Sequence, residues 1–391
     1  MLVLKDSDSK TVDTAEKPAL LQPFTMRSVV LKNRIMVSPM SMYSTENGCV
    51  RDFHLVHLGR FALGGAAMVM MEATAVTETG RGTHGCTGIW TDEQLPGLKR
   101  ITEFLRTHGS VAGIQLGHSG PKGASQRPWH GFGTIDESDA SLRGELPWAL
   151  VSSTDQPFDQ GWQVPAALSA ADMDALVEDF RAAASRAAKA GFQVIELHCA
   201  HGYLLHSFLS PLVNTRDDEY GGSLQNRMRF PLRVFDAVRA AFPSELPVMV
   251  RISAVDGIDV GWSIEDSIKF AAELADHGAD AIACSSGGVR LERGQVLVSR
   301  NPGFQVPFAN ELRNKAGIPT VAVGMLLSAQ QANEIVKQGK ADLVALGREM
   351  LANPNWAAQA AVDLKGESGW DDWPEVFGWW LKRRARQLAR R

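Results

Sequence analysis

The chain has 391 residues, 45% of them hydrophobic and 21% charged, with 40 basic against 44 acidic side chains and a formal net charge of -4. This composition describes a globular protein with a substantial core, and the acidic balance argues against a nucleic-acid partner. Four scattered cysteines (Cys49, Cys86, Cys199, Cys284) fit a reducing compartment without structural disulfides, and no run of about 18 apolar residues is present to span a membrane.

Residues 1–19 are polar and acid-containing at their start and lack the apolar core of a signal peptide. They read as a flexible arm on a cytoplasmic protein. From Leu31 onward short apolar runs alternate with helix-period runs. The first strand is predicted at 35–37 and runs into Ser38-Pro39-Met40-Ser41-Met42-Tyr43. A helix over 54–63 closes at Gly64-Gly65, and 67–75 is the second strand. A helix over 93–107 stops at Gly109, and 111–116 is the third strand. Residues 119–165 are rich in Gly, Pro, Ser and Trp; so long an irregular segment in a compact domain is usually functional. Ser169 with Asp172 opens a helix to Ala190, ahead of a fourth strand at 194–197. The second half repeats the rhythm: helix 226–241, strand 248–252, helix 263–277, strand 281–284, helix 306–315, strand 320–323, helix 328–338 and strand 343–346. Gly347-Arg348 then opens the last helix.

Strands alternating with helices in this way predict a single (β/α)8 TIM barrel over residues 20–365, with a C-terminal extension over 366–391. A doubly wound sheet is the runner-up, but no Gly-x-Gly-x-x-Gly follows the first strand. On the barrel, the chemistry collects at the C-terminal ends of strands, where barrel enzymes keep their active sites. Gln115 and His118 close the third strand, Arg251 the fifth, and Ser285 to Gly288 follow the sixth. The densest group is His198, His201 and Tyr203 after the fourth strand: two imidazoles and a phenol that can bind an oxyanion and deliver a proton. Gly324 after the seventh strand, and Gly347 with Arg348 after the eighth, make a phosphate site of the kind barrels carry there.

Several blocks together resemble the Old Yellow Enzyme family, closest to its thermophilic-like, second-class ene-reductases. They are Ser38-Pro39-Met40-Ser41-Met42-Tyr43-Ser44, Ile114-Gln115-Leu116, His198-x-x-His201-Gly202-Tyr203, Asp218-Glu219-Tyr220-Gly221-Gly222-Ser223 with Asn226-Arg227, and Gly347-Arg348. The resemblance covers roughly Leu20 to Leu364. It implies a tightly but non-covalently bound FMN across the barrel mouth, with NADPH or NADH as reductant. Pro39, Met40, Ser41 and Ala73 would border the ring system, Gln115 its pyrimidine edge, and Arg251 the N1–O2 side. Gly287, Gly288, Gly324, Met325, Gly347 and Arg348 would complete the cofactor site at the phosphate end. The implied substrate is an activated alkene, an α,β-unsaturated carbonyl compound or a nitroalkene. His198 and His201 would hold its oxygen, Tyr43 would add a contact, and Tyr203 would protonate the α-carbon while hydride from flavin N5 reaches the β-carbon.

Three features depart from that pattern. Ser41 stands where the subclass usually has Cys, which bears on flavin potential and reoxidation. Gly120-Pro121-Lys122 replaces Gly-Arg-Lys after the third strand. The C-terminus carries Phe377-Gly378-Trp379-Trp380 in place of an aromatic-Arg segment that reaches a neighbouring subunit. Trp379 and Trp380 are therefore expected at the substrate site of a partner in a homodimer or higher homo-oligomer. Two rival readings start from the same residues. A metal-dependent barrel hydrolase or aldolase would use His198, His201 and Glu196 as ligands, but no further ligand cluster is evident and the phosphate-site glycines stay unexplained. A flavin-binding barrel that only senses redox state has no need of a proton donor such as Tyr203.

Overall fold

The computed structural model describes residues 17–289 and 298–390. The N-terminal arm lies outside the described residues as far as position 16, and Ala19–Leu21 already form a turn that buries Leu20 and Leu21. In chain order the strands are β1 (Phe24–Met26), β2 (Val29–Leu31), β3 (Ile35–Val37), β4 (Met68–Ala75), β5 (Val111–Gly117) and β6 (Val151–Ser152). They continue as β7 (Ala166–Ala167), β8 (Val194–Cys199), β9 (Val248–Ser253), β10 (Ala281–Ser285), β11 (Thr320–Ala322) and β12 (Leu343–Leu346).

Strands β3, β4, β5, β8, β9, β10, β11 and β12 close in that order into a parallel barrel, β12 returning to β3. The expected TIM barrel is the fold observed. Its strands are near-continuous apolar runs because both faces are covered, and alternation decides what each residue meets. On β8, Ile195, Leu197 and Cys199 pack outward with the helices. Val194 points into the barrel interior with Met68, Met70, Met249 and Ala283. Glu196 and His198 share that inward line by alternation, so the interior changes from apolar to polar towards the C-terminal rim. The β1–β2 hairpin supplies Met26, Val29 and Leu31 to the same interior cluster and closes the other end.

Helix starts follow their capping signals. Ser169 and Asp172 form a capping box ahead of Ala170–Lys189, and Ser263 with Asp266 does so ahead of Ile264–Asp276. Several expectations need correction. β8 runs two residues further than predicted, so His198 sits in the strand rather than after it. The segment Leu204–Leu209 is a helix with all six residues buried. Gly347-Arg348 opens only the short helix Arg348–Ala352, and the chain continues through Trp356–Lys365 to a last helix, Glu375–Leu388. The rim segment 119–165 carries a helix, Glu137–Arg143, and β6. Among the described residues no helix is long and apolar enough to cross a membrane.

Candidate active site

The centre of the site is the turn between β8 and the helix Leu204–Leu209. His201 (φ 62°) and Gly202 (φ 74°) both take left-handed backbone conformations, which swing the chain so that three rings converge. His198 lies 4.9 Å from Tyr203 and 5.0 Å from His201, ring centre to ring centre. His198 Nε2 and His201 Nδ1 are 3.3 Å apart. The amide of Ala200 donates to His198 Nδ1 at 3.2 Å, so the proton of the neutral ring sits on Nε2. Burial first, then Arg251 and other nearby cations, hold His198 well below the usual histidine range. Burial, then the His198 ring and Arg251, do the same for His201. Both rings are thus neutral donors at neutral pH. An oxygen received by both nitrogens requires His201 as its Nδ1–H tautomer; without that oxygen, His201 Nδ1 is the natural acceptor for His198. Burial, with a lesser contribution from Cys86, pushes the Tyr203 phenol up to about 12, so it keeps its proton.

The turn is pinned from behind. The amide of Gly202 donates to His206 Nδ1 at 2.8 Å. His206 Nε2 lies 3.3 Å from Asp256 Oδ1, both side chains fully buried. Asp256 Oδ2 accepts from Ser210 Oγ and from the Trp262 amide. Burial alone would raise Asp256, but His206, Ser210 and the Trp262 amide outweigh it and hold its carboxyl below the usual range. Ser253 Oγ accepts from the His201 amide at 2.9 Å and donates to the Gly287 carbonyl at 2.6 Å.

The chain after β3 runs between two cavities. One is lined by Ser41, Tyr43, Ala73, His198 and Tyr203, with Lys122 beside them. The other, of about 510 Å³, is lined by Pro39, Met40, Arg251, Gly324, Met325, Gly347 and Arg348 among others. That volume is in the range of small-molecule sites. Tyr43 takes φ 51°, packs edge-on to Trp129 at 5.9 Å, and its carbonyl accepts from Arg127 Nε. Its phenol is raised, by burial first and then by Tyr203.

Inside the barrel stands a buried polar layer. Gln115 Nε2 donates to Glu196 Oε1 at 2.7 Å, while Glu196 Oε2 has no hydrogen-bond partner among the described residues. Burial pushes the Glu196 carboxyl up, against Arg251 and Gln115, which favour its charged form. Arg251 Nε and Nη2 both donate to Ser285 Oγ.

The remaining predicted residues are placed as follows. Gly287 and Gly288 lie against the His201 turn: a Cβ on Gly288 would stand 2.2 Å from His201 Cα. Trp379 and Trp380 project from the last helix, half or more exposed, and line neither cavity of their own chain. Among the described residues no group of three or more His, Cys, Asp or Glu side chains could hold a metal ion, and Glu196 is engaged by Gln115.

Sequence reasoning missed Glu72, whose Oε2 accepts from the Met42 amide and whose Oε1 accepts from Thr87 Oγ1. His54 Nε2 stands 3.2 Å from the same carboxylate, and the Arg51 amide donates to His54 Nδ1. This network fixes the segment that carries Ser41 and Tyr43. Its one signal in the sequence was a lone carboxylate in a mostly apolar strand. The His206–Asp256 pair, fifty residues apart, left no signal of that kind.

A model of the NADH:flavin oxidoreductase / NADH oxidase family matches residues 19–367. The chain is 42% identical over 347 residues to an NADPH dehydrogenase of Geobacillus thermodenitrificans (strain NG80-2), spanning 88% of this chain and 94% of that protein. Among solved structures it is similar to morphinone reductase, at 26% identity and a TM-score of 0.72 over 88% of this chain and 90% of the other. It is also similar to the old yellow enzyme homologue of Zymomonas mobilis, at 25% identity and a TM-score of 0.69 over 86% and 90% of the two chains.

Proposed function

This chain belongs to the NADH:flavin oxidoreductase / NADH oxidase family and is an NAD(P)H:FMN oxidoreductase of the Old Yellow Enzyme type, and from that premise we propose that it reduces the C=C bond of an activated alkene, an α,β-unsaturated carbonyl compound or a nitroalkene.

The residues present fit FMN. Gly347 lines the larger cavity, and a Cβ there would meet only the Met40 side chain, Sδ at 3.6 Å and Cγ at 3.9 Å, ordinary contacts. The missing side chain therefore leaves room for a ligand rather than for packing. Arg251 and Arg348 supply cations to the same cavity. In this reading Pro39, Met40, Ala73, Gln115 and Arg251 border the ring system. Gly287, Gly324, Met325, Gly347 and Arg348 hold the phosphate end, and Gly288 joins that loop to His201. When bound, FMN supplies the redox chemistry, taking hydride from NAD(P)H and passing it to the β-carbon of the alkene.

The chain's own residues do the rest. His198 Nε2–H and His201, in its Nδ1–H tautomer, receive the carbonyl or nitro oxygen and stabilise the negative charge that grows on it. Tyr203, protonated and 4.9 Å from His198, gives its proton to the α-carbon. Tyr43 lines the same cavity and adds a contact to the substrate. The observation that carries the reading is the convergence of His198 Nε2 and His201 Nδ1 beside the Tyr203 phenol. A pure redox sensor has no use for that arrangement.

The test is anaerobic turnover of purified protein loaded with FMN, given NADPH and a cyclic enone. One alkene reduced for each NADPH oxidised is expected. NADPH oxidation that proceeds only with oxygen as acceptor, leaving the enone intact, would sink the proposal.

A further inference from the structure

Three stretches of backbone meet at the wall of the proposed substrate site, and one side chain that lines that site stands where they meet. The first is the turn after β5, Gly120–Lys122, which packs so closely on the β8 turn that a Cβ on Gly120 would stand 2.8 Å from the Leu204 backbone. The Leu204 amide also donates to the His118 carbonyl at 3.0 Å. The second is the β8 turn itself. The third is the Gly287–Gly288 segment after β10: a Cβ on Gly202 would stand 2.3 Å from the Gly288 carbonyl oxygen. Close approach of two backbones brings carbonyl groups together with no strand ladder to satisfy them, and such groups need donors.

Lys122 supplies them. Its Nζ donates to the His201 carbonyl and to the Gly288 carbonyl, each at 2.7 Å. The same ammonium lies 4.2 Å from the centre of the Phe158 ring and 5.5 Å from that of Tyr203, where a cation is attracted to the ring face. Two of its three N–H groups are thus committed to carbonyls, in short charge-assisted bonds. With Ser253 Oγ receiving the His201 amide, both polar ends of the His201 backbone are held, and held in a left-handed conformation that a non-glycine residue rarely keeps without such support.

We infer that Lys122 is a positioning residue that locks the His201–Gly202–Tyr203 turn onto the Gly287–Gly288 segment, fixing the oxyanion-binding imidazole relative to the cofactor side of the site. A lysine suits this task because a single compact cation can serve two carbonyls that face each other across a seam. The positive charge also lies near the place where negative charge grows on the substrate oxygen, and it adds to the influences that keep both imidazoles neutral. Phe158, drawn onto the ammonium, ties the rim segment to the same point. The inference rests on the proposed function above, which places the substrate oxygen at the histidine pair.

The experiment is a titration of the FMN-loaded protein with a para-substituted phenol, read as the long-wavelength charge-transfer band between phenolate and flavin. It is run on the parent and on Lys122→Met, alongside the flavin spectrum and melting temperature of each. The inference expects Lys122→Met to keep its flavin and to bind the phenol about tenfold more weakly, the order expected for loss of a charge-assisted hydrogen bond that holds the binding geometry. Parent-like affinity and band position in Lys122→Met would overturn it. Should that variant fail to hold flavin, Lys122→Ala, which removes both donors with less bulk, is titrated in its place, and parent-like affinity there is equally decisive against it. A parent protein that gives no band at all defeats the proposed function itself, and the inference with it.

Discussion

Tyr203→Phe is expected to leave reduction of the protein-bound flavin by NAD(P)H intact and to slow reduction of an enone by about a hundredfold or more, the usual contribution of a well-placed general acid. The substitution removes only the hydroxyl. The ring remains, so its edge contact with His198 at 4.9 Å and the backbone of the turn are preserved. The half-reaction with NAD(P)H needs no proton on carbon, whereas protonation of the α-carbon does. Burial and Cys86 hold the phenol up to about 12, so it is fully protonated at neutral pH and stays so until a strongly basic carbon is presented to it. Rapid mixing under anaerobic conditions separates the two half-reactions. Equal loss in both would remove Tyr203 as proton donor and make its role one of packing.

His198→Ala is expected to lower the rate of enone reduction by about 10²-fold, the scale for loss of one preorganised oxyanion donor. It takes away the Nε2–H and leaves His201 Nδ1 without the group that stands 3.3 Å from it. Because both nitrogens serve one oxygen, His201→Ala added to His198→Ala is expected to cost less than the two single losses combined. The same variants should weaken phenol binding in parallel with the rate. Phenol affinity unchanged in His198→Ala would take His198 out of the oxyanion pair, and strictly additive losses would mean that the two rings act on different atoms.

The architecture was legible because the barrel strands are short, mostly apolar runs that alternate with helices whose starts carry capping residues, as at Ser169 and Ser263. What escaped has identifiable causes. The helix Leu204–Leu209 is buried on every side, so it carries no amphipathic period to read. The β1–β2 hairpin turns through Arg27 at φ 48°, without the Gly or Asn that usually marks such a turn. In the site, the imidazoles, the phenol, Gln115 and Arg251 stood out because polar residues at the ends of apolar strands are conspicuous. The supports did not. Lys122 reaches a carbonyl 166 residues away, and Asp256, after β9, meets His206, after the neighbouring β8. Such pairings are fixed by barrel closure and leave no spacing rule in the chain. Lys122 showed itself only as part of an altered Gly-Pro-Lys triplet, and its partners are backbone atoms, which carry no residue identity.

The central claim is that His198 and His201 together hold an oxyanion against bound FMN. The visible absorption spectrum of the purified protein, with and without a para-substituted phenol, tests it most directly. The account predicts a flavin spectrum that gains a broad long-wavelength band as phenol is added, the mark of a phenolate held over the oxidised ring system. A flavin spectrum indifferent to phenol would contradict the oxyanion pair while leaving fold and cofactor in place. A protein that stays colourless after reconstitution with FMN would contradict the assignment of the larger cavity as well.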